Sequence, residues 1–215
     1  MPAAGERNDK ELAVLSAATR VFLEHGFSAA TTDMIQREAG ISKATMYACF
    51  HCKEALFIAV VERECAVMTQ AFEAIQMSSS GIASTLADLG ATYLRIVLSP
   101  TLMALFRLVI AEAPRFPELG RRFYRAGPSV VCEKVAACLT DAARNKEIDI
   151  QSIGAGAAAA LFLSMLRGEA QLECLTHPDT QPSAAQMDHW VQTAVTAFLA
   201  AFGVWRDFPP VNSEP

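Results

Sequence analysis

Two short stretches of this 215-residue chain carry residue types that can do chemistry. The first is Cys49-Phe50-His51-Cys52, two thiols in C-x-x-C spacing with an imidazole between them. That spacing suits a zinc half-site or a thiol switch. No second cysteine pair follows nearby to complete four zinc ligands, so no bound metal or cofactor is expected. The second stretch is Ser42-Lys43-Ala44-Thr45-Met46-Tyr47-Ala48. A short helix with Lys, Ala, Tyr and Ala on its outer face is slim enough for a DNA major groove.

Enzyme chemistry has little to build on. There is no glycine-rich phosphate loop, no H-E-x-x-H and no nucleophile elbow, so the chain is not expected to be an enzyme. His177 and His189 have no evident partners for catalysis or metal binding. Cys132 and Cys138 are six residues apart, about 240° around a helix, and do not share a face.

The elements that must position the two stretches all read as helix. Apolar residues recur at spacings of three and four, and no strand-like alternation is present. A first helix is predicted from about Asn8 to His25, with Leu12, Leu15, Ala18, Val21 and Phe22 as its stripe and Gly26 as its stop. Thr31 and Thr32 offer a cap for a short second helix ending near Gly40. Ser42 caps a third, from Lys43 to about Cys49. A long fourth helix starts near Lys53, its face formed by Phe57, Val61, Cys65, Met68, Phe72 and Ile75. After a serine-rich break over Met77 to Gly81, further helices are predicted over Ile82 to Leu98, from Pro100, over Glu118 to Arg125, and from Pro128 to about Lys146. Ile150 to Leu175 and Ser183 to Val204 are the last two.

Two short helices joined by a tight glycine turn form a helix-turn-helix: Thr32 to Ala39, then Gly40-Ile41, then Ser42 to Cys49. Ile35, Ile41, Met46 and Phe50 face inward and lock the pair onto the first helix. Lys43, Ala44, Tyr47 and Ala48 remain outside.

The chain resembles the TetR family of repressors. The residues that carry the likeness are Phe22-Leu23-Glu24-His25-Gly26-Phe27, Thr31-Thr32, Ala39 through Tyr47, and Phe50-x-x-Lys53-Glu54-Ala55-Leu56-Phe57. The C-terminal part is similar to AefR-like ligand-binding domains, through Leu108 to Pro117, Phe123-Tyr124 and Ala126-Gly127-Pro128. The resemblance implies an all-α fold in two parts. Residues 1–54 would be a three-helix, helix-turn-helix DNA-binding domain, and residues 55–215 a larger ligand-binding and dimerisation domain. It implies a homodimer that represses transcription from a palindromic DNA operator and is released by a small-molecule effector. Lys43, Ala44 and Ala48 would face bases, with thymine methyls against the alanines and guanine for Lys43. Thr32, Thr45, Tyr47 and Lys53 would hold phosphates.

The pattern has departures. Cys49 stands where the family has Tyr or His on a phosphate, Cys52 where Ser or Asn caps the fourth helix, His51 where Pro or Gly is common, and Gln36 where Ala is usual. Phosphate clamping is therefore expected to be weaker, with Arg20 and Arg37 as possible replacements. The alternative trigger on the same fold is thiol-redox or metal control through Cys49 and Cys52.

The candidate ligand-lining residues are Met68, Phe72, Tyr93, Leu94, Val97, Met103, Phe106, Phe123, Phe162 and Met165. Apolar linings of this kind take hydrophobic or aromatic ligands. Arg95, Arg107 and Glu112 are the charged groups among them. The dimer surface is expected on the last two helices, from Leu161, Met187, Trp190, Val191, Ala194, Val195, Phe198, Phe202 and Trp205, with the small residues Gly154 to Ala160 allowing close approach.

Composition agrees with a packed protein: 52% of residues are apolar and only 19% are charged, which argues against disorder. No apolar run approaches the roughly 18 to 20 residues of a membrane span. The N-terminus lacks the pattern of a secretory signal, so a soluble cytoplasmic protein without membrane contact is expected. The net charge is −5. Residues 1–53 are neutral, so the nucleic-acid expectation rests on side-chain placement and not on a basic footprint.

Overall fold

The computed structural model describes residues 4–73, 80–177, 179 and 181–204. It holds ten helices among the described residues: α1 (Ala4–Ala29), α2 (Thr32–Ala39), α3 (Lys43–Cys49), α4 (Lys53–Glu73), α5 (Ile82–Val97), α6 (Pro100–Glu112), α7 (Pro117–Ala126), α8 (Pro128–Arg144), α9 (Gly154–Thr176) and α10 (Ala184–Phe202). The expected all-helical class holds. Among these residues no single helix is long and apolar enough to cross a membrane. The side chain of Met68, all of Ile75 and Trp205, and residues 77–79 of the serine-rich break lie outside the described residues.

Two boundaries differ from expectation. The first helix starts at Ala4, and its regular course breaks at Gly26 (φ 74°, ψ 167°) before a last turn to Ala29. Residues 150–153 are not helical. Ile148 forms an isolated antiparallel bridge with Gly203. The Asp149 N–H donates to the Phe202 carbonyl at 2.7 Å, and Val204 N–H to Glu147 at 3.0 Å. Gly154 lies in the left-handed region (φ 77°), which a right-handed helix cannot pass through, and α9 starts there.

The chain packs as two compact units. The first contains Met1–Glu73 and Ile96–Val131, hence α1 to α4, α6 and α7. Its core centres on three phenylalanines. Phe22 lies 4.8 Å from Phe57 and 5.8 Å from Phe27, and Phe27 stacks on Phe57 at 4.9 Å, centroid to centroid. Val14, Ala18, Ile35 and Met46 close around them from the N-terminal helices, Leu56, Val60 and Val61 from α4, and Leu105, Val109 and Leu119 from α6 and α7. Each of these side chains larger than alanine contributes about 1.5–3 kcal/mol of burial. At the surface, Arg122 of α7 pairs with Glu62 of α4 at 3.1 Å. Hydrogen bonds from Arg121 and Arg122 hold the Glu118 carboxyl below its ordinary range. Ser28 donates to Glu112, at the end of α6, at 3.2 Å.

The second unit contains α5, α9, α10 and most of α8. Phe162 of α9 meets Phe198 of α10 edge-on at 5.4 Å, and Leu86, Leu94, Leu139 and Leu166 are also fully buried. Gly90 permits this packing: a Cβ there would lie 3.1 Å from Leu166 and 3.2 Å from Val191. Glu147 accepts the Ile82 N–H at 2.7 Å and so caps α5. Ser183 and Gln186 form a reciprocal capping box on α10.

Candidate nucleic-acid interface

The helix-turn-helix is built from its caps. Thr31, not Thr32, caps α2: its Oγ1 accepts the Met34 N–H at 3.2 Å. That leaves Thr32 free to turn outward, where its hydroxyl meets Tyr47 Oη at 3.3 Å. Gly40 ends the helix in the left-handed region (φ 64°, ψ 30°). Its N–H reaches the Arg37 carbonyl at 3.2 Å, and Ile41 N–H reaches Gln36 at 3.3 Å. This pair of bonds turns the chain within two residues. Ser42 then caps α3, accepting the Thr45 N–H at 3.1 Å while its hydroxyl contacts Thr45 Oγ1 at 2.8 Å.

Ile35 and Met46 are fully buried and Phe50 nearly so. They fix the rotation of α3, so Lys43, Ala44, Tyr47 and Ala48 are exposed while Thr45 is half-buried. Six of the seven expected DNA contacts therefore lie on α3 or beside it. Lys43 is not free in this state. Its ammonium pairs with Asp33 of α2 at 3.2 Å across the turn, a partner the sequence reasoning missed.

Lys53 departs further from expectation. Its Nζ donates to the carbonyls of Phe27 at 2.8 Å and Ala30 at 2.9 Å, with Ser28 at 3.4 Å, and lies 4.5 Å above the Phe27 ring. Carbonyls at the end of α1 lack helical partners, and a cation is the natural donor for them. Lys53 thus ties α4 to the end of α1. The suggested substitutes are also engaged: Arg20 pairs with Glu38 at 2.7 Å, and Arg37 Nε donates to the Asp33 carbonyl at 3.2 Å. The cap of α4 is not lost as expected. Cys52 Sγ accepts the Ala55 N–H at 3.4 Å, a longer and weaker bond than an oxygen would make.

All six cysteines are free thiols. Burial, then the Glu64 and Glu62 charges, push the Cys65 thiol up to about 12. Among the described residues no three His, Cys, Asp or Glu side chains gather as a metal site, so His51 does not complete one with Cys49 and Cys52.

The expected ligand-lining residues divide between the two units. Phe72, Val97, Met103, Phe106 and Phe123 belong to the first, where Phe106 and Phe123 meet at 5.9 Å. Tyr93, Leu94, Phe162 and Met165 belong to the second. There Tyr93 and Leu94 are buried, Phe162 is committed to Phe198, and Met165 is exposed. Burial raises the Tyr93 phenol, and the Arg167 charge, with a hydrogen bond between the two, partly offsets that. Arg167 was missed as a polar partner. Its signal was a charge interrupting the apolar run of α9. The charged groups expected nearby are elsewhere engaged: Arg95 bonds Thr92 at 3.3 Å, and Glu112 takes Ser28.

The expected dimer surface also needs correction. Val191, Val195 and Phe198 are 2, 5 and 0% exposed within one chain. They pack α10 inside its own unit and cannot face a partner. Ala194 is likewise buried, and Met187, Trp190 and Phe202 are half-buried. Leu161 is exposed, and beside it Ala157, Ala160, Ser164, Met165, Gly168 and Leu172 form the outer face of α9.

Comparison with known proteins adds to this geometry. Residues 14–60 match the family model for bacterial regulatory proteins of the tetR family. Residues 84–204 match that for the C-terminal domain of AefR-like transcriptional repressors. No curated protein matches the chain. Among solved structures, it is similar to a TetR-family transcriptional regulator from Mesorhizobium loti (TM-score 0.83, 26% identity, 92% of this chain and 98% of that one). It is also similar to the flavonoid-responsive regulator FrrA (TM-score 0.77, 32% identity, 91% and 98%). SmeT, the repressor of a Stenotrophomonas maltophilia multidrug efflux pump, shares the fold (TM-score 0.65, 20% identity, 95% and 96%).

Proposed function

Because the chain belongs to the TetR family of bacterial transcriptional regulators, with an AefR-like C-terminal domain, we propose that it is a repressor that binds a palindromic operator as a homodimer and leaves it when an apolar or aromatic effector binds. The observation that carries the reading is the outward face of α3. Lys43, Ala44, Tyr47 and Ala48 are presented on a helix whose rotation is fixed by buried Ile35 and Met46 and whose start is capped by Ser42. In a dimer, two such helices would read half-sites about 34–36 Å apart in successive major grooves.

Residues 1–54 act as the DNA-binding part and residues 55–215 as the ligand-binding and dimerisation part. Ala44 and Ala48 meet thymine methyls, and Lys43 reaches guanine once it leaves Asp33. Thr32, Thr45 and Tyr47 hold phosphates. The two subunits pair through the outer faces of α9 and α10, whose small residues permit close approach. The effector class is supported by the apolar candidate lining and by the similarity to a flavonoid-responsive regulator.

The test is a fluorescence-anisotropy titration of the full chain with the duplex flanking its own gene, against unrelated DNA. Preference for the flanking duplex and its loss on adding an aromatic effector from a panel of flavonoids are the expected results. Equal affinity for both duplexes, or a monomer in sedimentation, would overturn the proposal.

A further inference from the structure

The first compact unit contains a cleft that neither the DNA-facing helix nor the effector residues explain. Its volume is about 330 Å³, and it is lined by Phe27 at the end of α1, Glu54, Phe57 and Ile58 on the first turns of α4, and residues 115–119 and 121 at the start of α7. That volume lies at the lower end for small-molecule pockets, the size of a one- or two-ring compound. The floor is aromatic: Phe27 stacks on Phe57 at 4.9 Å and takes the edge of Phe116 at 5.2 Å.

Charge at the rim selects the ligand further. Four ionisable groups border the cleft: Glu54, Arg115, Glu118 and Arg121. Glu118 and Arg121 neutralise each other at 2.9 Å, with Arg122 adding a second bond to Glu118 at 3.2 Å. Glu54 sits in the first turn of α4, where the helix dipole favours a negative charge. Arg115 has no such compensation. Among the described residues no carboxylate lies within ion-pair distance of it, and its guanidinium stands 5.7 Å from the Phe116 ring centroid, against the aromatic floor.

We propose that this cleft is a second effector site, which takes a one- or two-ring aromatic acid with its ring against the half-buried Phe116 and Ile58 and its acid group on Arg115. The site reaches beyond the repressor reading, because it is formed entirely within the unit that carries the helix-turn-helix. Phe116, on which an occupant would rest, lies 5.2 Å from Phe27, the ring that Lys53 covers and that precedes the entry into α2. It would bridge α1, α4 and α7 in the packing seen here.

Two fluorescent probes of one shape separate the contributions. Naphthalene-1-sulfonate carries an acid, and 1-naphthalenemethanol lacks it. Each is titrated into the intact protein without DNA, with circular dichroism confirming that the variants are folded. Arg115→Glu is expected to weaken the sulfonate about fivefold at one class of sites and to leave the neutral probe unchanged. Ile58→Trp, which fills the cleft, should remove that class for both probes. Unaltered binding of both probes to both variants would overturn the site. Equal weakening of both probes by Arg115→Glu would overturn the assignment of the acid group. No arm requires an operator, so failure here and failure of the repressor reading are separate results.

Discussion

Replacing Lys53 by Met separates anchoring from phosphate contact. The variant keeps the apolar stem but removes the ammonium that bonds the Phe27 and Ala30 carbonyls at 2.8 and 2.9 Å and covers the Phe27 ring. Hydrogen bonds from a charged donor contribute about 1.5–3 kcal/mol each when buried, and a cation–π contact about 0.5–1 kcal/mol. Lys53 is half-buried, so water restores part of the loss to the freed carbonyls. The expected destabilisation is roughly 2–3 kcal/mol, and for a protein of this size that lowers Tm by about 4–12 °C at fixed concentration. Operator binding gives the second readout. Each phosphate contact adds about 0.9 to the slope of log K against log salt, so a lysine holding one phosphate per subunit accounts for a slope of about 1.8 in the dimer. An anchoring lysine leaves that slope unchanged while affinity falls uniformly. Thermal unfolding and anisotropy across a salt series measure both quantities. An unaltered Tm together with a slope reduced by about two would refute the assignment of Lys53 to the end of α1.

Four further outcomes follow from particular residues. Gly40→Ala adds a Cβ that meets nothing within 4 Å, so only the left-handed backbone (φ 64°) resists it, and thermal unfolding should register a loss of about 1 kcal/mol. Leu161→Lys, on the exposed face of α9, should dissociate the dimer in sedimentation with each subunit still helical. Val195→Ala should instead cost roughly 2 kcal/mol by urea unfolding and leave the assembly intact, because Val195 is buried within one chain. Cys65 makes stability depend on alkaline pH. Its folded thiol holds a proton up to about 12, whereas the unfolded thiol releases it near 9.0. The unfolded state therefore binds fewer protons between those values. The stabilisation is complete below pH 9 and lost as pH approaches 12. Cys65→Ala should flatten that part of the unfolding curve, and an unchanged slope would count against the burial argument.

By itself the sequence determined the helices, their caps and the helix-turn-helix. Ser42, Gly40 and the buried Ile35 and Met46 act over three to five residues, and local chemistry is readable at that range. Even so, the sequence favoured Thr31 and Thr32 equally as the cap of α2. The fold chose Thr31 and sent the Thr32 hydroxyl to Tyr47, fifteen positions away. What only the tertiary structure decided is which partner each face and each charge meets. Lys53 reads as a surface cation at a helix start, yet it bonds carbonyls 23 and 26 residues earlier. The stripe on α10 reads as an interface, but an apolar face is the same in sequence whether it is covered by the chain's own α9 or by a second subunit. Ile150 to Ile153 look like the first turn of α9, yet Gly154 in the left-handed region (φ 77°) separates them from it. Hydrophobic burial is non-directional, and long-range pairing depends on how the helices close around their core. Periodicity therefore marks the faces that must be buried and leaves the choice of what buries them to the fold.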